Sequence, residues 1–257
     1  MKKSTAQKAT LIAKGSLGDF LTHPGNSLTM SFELNPSVKD LVEAHGIPHT
    51  AIFRLTANDK AISLDYNVQP GDIISAYPIE WVQVTEDIDP IYLQPSCFVA
   101  DVHLGKLAKT LRLLGFDTYF DPSWNDHHII EWSNKEHRMI LTRDLDLLKN
   151  GHTQFGYWVR NQDPEQQINE LLQRFKIKEK AKPFSRCVKC NGLLSEVSLS
   201  EVENKVPPKV KLWQSRFFQC ADCRQVYWRG AHYEKLHDKV KAIIGDYDSF
   251  DKTDRAD

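Results

Sequence analysis

The chain has 257 residues, enough for two or three domains, and its 41% hydrophobic and 26% charged content is that of a soluble globular protein. A formal net charge of −1 excludes a bulk electrostatic pull toward nucleic acid, so any basic binding surface has to be local. No apolar stretch approaches the length of a bilayer span, so no membrane partner is expected.

Met1 to Thr5 is basic, but Ala9-Thr10-Leu11-Ile12-Ala13 is too short and broken for the apolar run of a signal peptide, which makes the cytoplasm the expected compartment. The cysteines agree: four of the five form two CxxC pairs, which in a reducing compartment point to metal or redox chemistry, and Cys97 is left over. Leu28 to Leu34 alternates apolar and polar residues like a half-buried strand. Asn35-Pro36-Ser37 starts a helix carrying Val38, Leu41 and Val42 and ending near Gly46. Ala51 to Leu55 reads as a strand, Asn58-Asp59-Lys60 as a turn, and Val68-Gln69-Pro70-Gly71-Asp72 leads into a strand from Ile73 that runs on through Trp81. Strands around one helix make an α+β pattern. The order, with the phrase VQPGDIISAYP, resembles the ubiquitin-like β-grasp fold of small sulfur-carrier proteins. There is no Gly-Gly terminus after the last strand, so sulfur transfer is excluded and a docking module is expected. Val84 to Pro95, acidic and proline-punctuated, reads as a linker.

Cys97-Phe98-Val99-Ala100 and Arg138-Met139-Ile140-Leu141 are short apolar runs that stop at carboxylates, the pattern of buried parallel strands. If Val99 and Leu141 lie in neighbouring strands, Asp101, Asp144 and Asp146 converge on one crevice at the strand ends. Clustered carboxylates suit a hard cation, Mg²⁺ or Mn²⁺, and hence a metal-dependent nuclease. Between these strands, Leu104, Leu107, Ala108, Leu111 and Leu114 mark one face of a helix closed by Gly115. Lys106, Lys109 and Arg112 recur on another face and are candidate phosphate contacts, with an ordinary solvated face as the alternative. Asp117 to Phe120 is a strand, and Asn125 or Asp126 caps a helix bearing Ile129, Ile130 and Trp132. By spacing alone Asp126 reads first as a cap, and His127 and His128 read as surface histidines. Thr142 is placed to hydrogen-bond a carboxylate, whereas Asp144 has a second reading as the cap of a helix from Leu145. Gly156 to Val159 is a further strand, with Arg160 after it, and Arg160 and Arg143 are candidate phosphate contacts. Asp163-Pro164-Glu165 opens a helix whose buried stripe is Ile168, Leu171, Leu172 and Phe175.

Lys176 to Pro183 is a basic linker. Cys187-Val188-Lys189-Cys190 and Cys220-Ala221-Asp222-Cys223 then supply four thiolates for a closed structural Zn²⁺ site, with a strand pair and a loop through Val206-Pro207-Pro208 between them. Aromatic and basic residues follow. Phe217, Phe218 and Tyr227 read as ribbon core, and Trp228, Arg229 and His232 as the segment that touches RNA or the active-site edge.

The phrases FVADVHLGKLAKTLRLLGFDT and ILTRDLDLL, with the doubled CxxC, resemble the C-terminal RNase domain of the Mut-seven exonuclease family. The resemblance implies a PIN-like α/β nuclease domain with an appended zinc ribbon, preceded here by the ubiquitin-like domain. It implies RNA cleavage with Mg²⁺ or Mn²⁺ held at Asp101 and Asp144, with Asp126 and Asp146 as further catalytic positions, and tRNA among the RNA partners to test. PIN nucleases also place a helix carboxylate at the site, and Asp126, Glu131 and Glu136 stay open for it. The expected division is a β-grasp domain over 1–90, the RNase domain over 96–180, the ribbon over 183–238 and a flexible tail over 239–257. The rival readings are an RNA-binding or adaptor protein without turnover, and a toxin-like PIN RNase. A protein partner is expected for the first domain.

Overall fold

The computed structural model describes residues 6–22, 25–81 and 88–247. In the first domain β1 (Gln7–Ala13) and β2 (Ser27–Phe32) form an antiparallel hairpin whose inward positions are Ala9, Leu11, Ala13, Met30 and Phe32. α1 (Val38–Ala44) is capped by Ser37, whose Oγ accepts from the Asp40 N–H at 3.1 Å. β3 (Arg54–Ala57) and β4 (Lys60–Ile62) turn through Asn58 and Asp59, both at positive φ, the backbone of a tight hairpin. β5 (Ile73–Tyr77) returns between β1 and β3, parallel to the first and antiparallel to the second. The strand order 2-1-5-3-4 in a mixed sheet with one helix is the expected β-grasp.

Two expected strand limits shift. His49–Ala51 is a 3₁₀ turn, so β3 starts at Arg54; His49 and Thr50 instead reach the second domain, bonding the carbonyls of Thr153 (3.0 Å) and Leu148 (3.2 Å). β5 stops at Tyr77, because Pro78 cannot donate to the ladder and Ile79–Trp81 winds into another 3₁₀ turn. The expected linker, Val84 to Pro95, falls partly outside the described residues, at 84–87. Its second part is packed structure: α2 (Pro90–Leu93), capped by Asp89, buries Ile91 against the second core.

The second domain is a four-stranded parallel sheet. β6 (Cys97–Ala100), α3 (Gly105–Leu113), β7 (Asp117–Tyr119), α4 (Asp126–Glu136), β8 (Met139–Thr142), α5 (Leu145–Lys149), β9 (Gly156–Trp158) and α6 (Pro164–Phe175) follow in alternation. The order β7-β6-β8-β9 pairs Val99 with Ile140 and Ala100 with Leu141, as the sequence suggested. Progress across the sheet reverses between β6 and β8, and such a switch point is where strand-end ligands sit in open α/β sheets. α3 ends in a Schellman turn: the Gly115 N–H bonds Arg112 O and the Phe116 N–H bonds Leu111 O. Gly115 is required twice over. Its φ is +88°, and a Cβ would stand 2.2 Å from the Lys182 carbonyl. That close approach belongs to the expected basic linker, which is strapped along the end of α3 with Ile177 fully buried.

The third unit is an antiparallel sheet of β10 (Leu194–Val197), β11 (Phe217–Cys220) and β12 (Val226–Trp228). Two short helical turns, α7 (Leu199–Val202) and α8 (Pro208–Lys211), stand where a loop was expected. The expected flexible tail from 239 is corrected in its first part. α9 (Ala231–Ile244) runs through it, with Val240 and Ile244 buried in the core of the second domain. Tyr233, Leu236, Val240 and Ile244 recur at helical spacing, which is why this face packs. Residues 248–257 lie outside those described.

Candidate active site

The crevice at the switch point is built from three chain segments. The Asp101 N–H continues the parallel ladder, bonding the Leu141 carbonyl at 2.9 Å, and its side chain is 5% exposed. Thr142, at the end of β8, donates from Oγ1 to Asp101 Oδ2 at 2.7 Å and accepts the Asp144 N–H at 2.9 Å. One hydroxyl therefore fixes both strand-end carboxylates relative to each other. Asp144 does cap α5, its Oδ1 accepting the Asp146 N–H at 2.8 Å, and among the described residues that carboxylate makes no other hydrogen bond.

The cap of α4 is Asn125, whose Oδ1 accepts the His128 N–H at 3.2 Å. Asp126 is thereby released from the capping role that spacing favoured and stands in the first turn. Although Asp126 is itself exposed, its carboxyl is raised above the ordinary range, first by partial desolvation, then by the charges of Asp144 and Asp101. Asp126, on α4, thus lies within electrostatic reach of both strand-end carboxylates. Of the helix carboxylates left open by the sequence, Asp126 is the one coupled to the strand ends. Glu136 is bound to Arg138 at 2.6 Å, and Glu131 is exposed on α4. Asp146 sits exposed in the first turn of α5, and its charge is not among those that raise Asp126.

The candidate nucleic-acid residues divide. Lys106, Lys109 and Arg143 are exposed on the elements that carry Asp101 and Asp144. Arg112 is not part of that surface. It is 3% exposed and its guanidinium donates to the carbonyls of Thr118 (2.8 Å) and Lys189 (2.9 Å), bracing the first cysteine knuckle against β7. Arg160 faces the first domain, donating to Asp19 Oδ2 at 3.2 Å and to Ser16 O. Trp228, Arg229 and His232 line an apolar cleft of about 360 Å³ that also includes Leu113, the last residue of α3. Asp101 precedes that helix, so a nine-residue length of about 13 Å separates the two ends.

The four knuckle cysteines meet, their sulfurs all within 4.8 Å of one another; Cys187–Cys223 is 3.6 Å and Cys190–Cys220 is 3.4 Å. A tetrahedral ion with sulfur ligands at about 2.3 Å sets its sulfurs about 3.8 Å apart, so the set fits such an ion. Burial alone would raise the Cys190 thiol, but bonding to the Gly192 backbone and the neighbouring sulfurs outweighs it and brings it to about 7. The knuckle is welded to the edge of the parallel sheet. Asn191, buried and at φ 77°, accepts the Thr118 N–H at 3.0 Å and donates to Asp117 Oδ1 at 2.8 Å. Arg186 and Arg138 complete the pairing of Asp117 at 3.2 and 2.7 Å.

Sequence reasoning missed Trp124, in the turn before Asp126, because a lone tryptophan in a loop carries no periodicity. It missed the role of Asn191 as well, although an asparagine following CxxC is a common left-handed turn residue.

No helix among the described residues is long and apolar enough to cross a membrane. No curated protein and no solved structure matches the chain. The model of the Mut7-C RNAse domain family matches residues 96–240, and that of the Mut7-C ubiquitin domain matches residues 6–84. The chain therefore belongs to the Mut7-C RNAse domain family, with the Mut7-C ubiquitin domain in front of the RNAse domain.

Proposed function

We propose that the protein is a divalent-metal-dependent ribonuclease that hydrolyses RNA phosphodiester bonds at the crevice of Asp101, Asp126 and Asp144, with Asp146 at its rim. The observation that carries this is geometric: Asp101 and Asp144 stand at the ends of adjacent parallel strands, joined through the Thr142 hydroxyl, and Asp126 lies within reach of both charges. A cation would relieve the charges that raise Asp126, and an all-oxygen set suits Mg²⁺ or Mn²⁺. When bound, such an ion supplies charge neutralisation at the phosphate and an acidified water.

The chain's own residues supply the positioning. Thr142 holds Asp101 in one rotamer and ties the Asp144 backbone to it. Asn125 takes the capping work and leaves Asp126 for the crevice. Lys106, Lys109 and Arg143 meet the flanking phosphates. The four cysteines hold Zn²⁺ in a closed structural site, since four thiolates leave no open position for chemistry. The β-grasp domain serves as a protein-docking module, and two CxxC pairs suit a reducing compartment such as the cytoplasm.

The test is cleavage of a labelled RNA pool, tRNA included, with Mn²⁺, Mg²⁺ or EDTA, beside Asp101→Asn and Asp144→Asn. Cleavage abolished by EDTA and by both substitutions supports the reading. RNA binding without cleavage under any metal replaces it with the adaptor reading. Cleavage that survives both substitutions places the chemistry elsewhere.

A further inference from the structure

The turn from β7 into α4 holds more than Asp126. Asp121 Oδ1 accepts the Ser123 N–H at 2.8 Å and the Ser123 hydroxyl at 2.6 Å, and the Trp124 N–H bonds Asp121 O at 3.2 Å. This network fixes Trp124, half-buried, two residues before Asp126; a two-residue span places the two Cα atoms at most about 7 Å apart. The Trp124 indole lies near-parallel to that of Trp132, at 6.1 Å and 19°, and both stand edge-on to Tyr119. Tyr119 is itself clamped, with the Arg138 guanidinium 3.4 Å from its ring centroid. The Lys135 ammonium sits 4.8 Å from the Trp132 ring. Behind the indole, Ile129, Ile130 and Ile140 form a small core of their own. The result is a rigid aromatic ledge with one exposed cation, Lys135, and its Trp124 lies two residues from Asp126.

We infer that this ledge is a stacking platform for a base next to the scissile phosphate, and that the substrate is single-stranded where it meets the crevice; the inference rests on the ribonuclease reading above. Every base offers a π-face, so such a platform tolerates sequence, and the adjacent lysine meets the backbone phosphate of the stacked nucleotide. A duplex buries its base faces in its own stack and cannot use the ledge without unpairing. The platform therefore selects strand state rather than sequence, and it fixes which phosphate lies over Asp126.

The test measures binding without added metal, by anisotropy of a labelled single-stranded oligoribonucleotide and of the duplex form of the same sequence. Trp124→Leu keeps apolar packing against the isoleucines and removes the π-face; Trp124→Phe keeps a face. The expected result is about tenfold weaker single-strand binding for Trp124→Leu, near wild-type binding for Trp124→Phe, and no change for the duplex. Thermal unfolding of both variants close to wild type confirms that the fold is kept. Trp124→Leu binding the single strand as wild type does, or losing single strand and duplex equally, overturns the platform. Failure of the ribonuclease reading is a separate outcome: wild type binds single strands through Trp124 but does not cleave them with Mn²⁺ or Mg²⁺.

Discussion

Thr142→Val tests whether one hydroxyl organises the crevice. The valine has the same shape, so backbone and core are undisturbed, but two bonds vanish: the donation to Asp101 Oδ2 at 2.7 Å and the acceptance of the Asp144 N–H at 2.9 Å. The first is charge-assisted and buried, and its loss costs about 1.5–3 kcal/mol. The second leaves an amide in a partly exposed turn that water can reach, so its loss sits near about 1 kcal/mol. The added methyl returns about 0.8 kcal/mol. The net is about 2–3 kcal/mol, or about 5–10 °C in Tm for a domain of this size. Because Thr142 acts on a ligand rather than as one, Mn²⁺ affinity should also fall, by about 10- to 100-fold. Calorimetric Mn²⁺ titration and thermal unfolding read the two effects, and Thr142→Ser, which keeps the hydroxyl, should restore both. A valine variant with wild-type Mn²⁺ affinity would refute the argument even if its Tm fell, because the hydroxyl would then serve the fold alone.

Two further outcomes follow from the charges. Asp126→Asn removes a carboxylate raised by burial and by its anionic neighbours, so the metal-free variant should unfold at a higher temperature than wild type while losing its Mn²⁺-dependent stabilisation. Asp117 is pushed up by burial, but the bonds from Arg138 and Asn191 and the charges of Arg138 and Arg186 outweigh this and hold it below the usual range. A depressed folded-state carboxyl stabilises fully above its unfolded value of about 3.9, and that stability is lost as pH falls through the folded value. Urea midpoints of wild type should therefore drop below about pH 4 more steeply than those of Asp117→Asn, and parallel curves would contradict the assignment.

What was legible in the sequence follows the range of the forces involved. The strand-end aspartates could be read because parallel strands advertise themselves as short apolar runs, and the strands of Val99 and Leu141 are neighbours, Val99 pairing with Ile140 and Ala100 with Leu141. The cysteine cluster could be read because metal ligation fixes spacing locally. β1 was not read as a strand, since its centrality depends on β2 and β5, which lie far along the chain. Arg112 was grouped with Lys106 and Lys109 by periodicity alone. Its burial comes from carbonyls at Thr118 and Lys189, the second of them 77 positions away. Arg160 lies at the end of β9, as its position suggested, but what it meets there is Asp19 of another domain. α9 was the avoidable omission, because its apolar spacing from Tyr233 to Ile244 is local and plain.

The docking of the knuckle links folding to the crevice. β7 is an edge strand, and an exposed edge of a parallel sheet leaves donors unpaired. Here the Thr118 N–H is taken by Asn191, which the cysteine knuckle holds in a left-handed conformation, while Arg112 ties the same knuckle to the strand. The next turn along β7 carries Trp124 and Asp126. Loosening of the four-cysteine cluster should thus free Asn191, expose the Thr118 amide and loosen the arm that delivers Asp126. EDTA cannot test this, because it strips a crevice ion as well, whereas Cys220→Ser touches the knuckle alone. In that variant, hydrogen exchange at the Thr118 amide should accelerate well beyond that at Ile140 of the central β8 strand. Equal protection at both sites would mean that the sheet edge stands without its knuckle, and that the cysteine site stabilises the ribbon only.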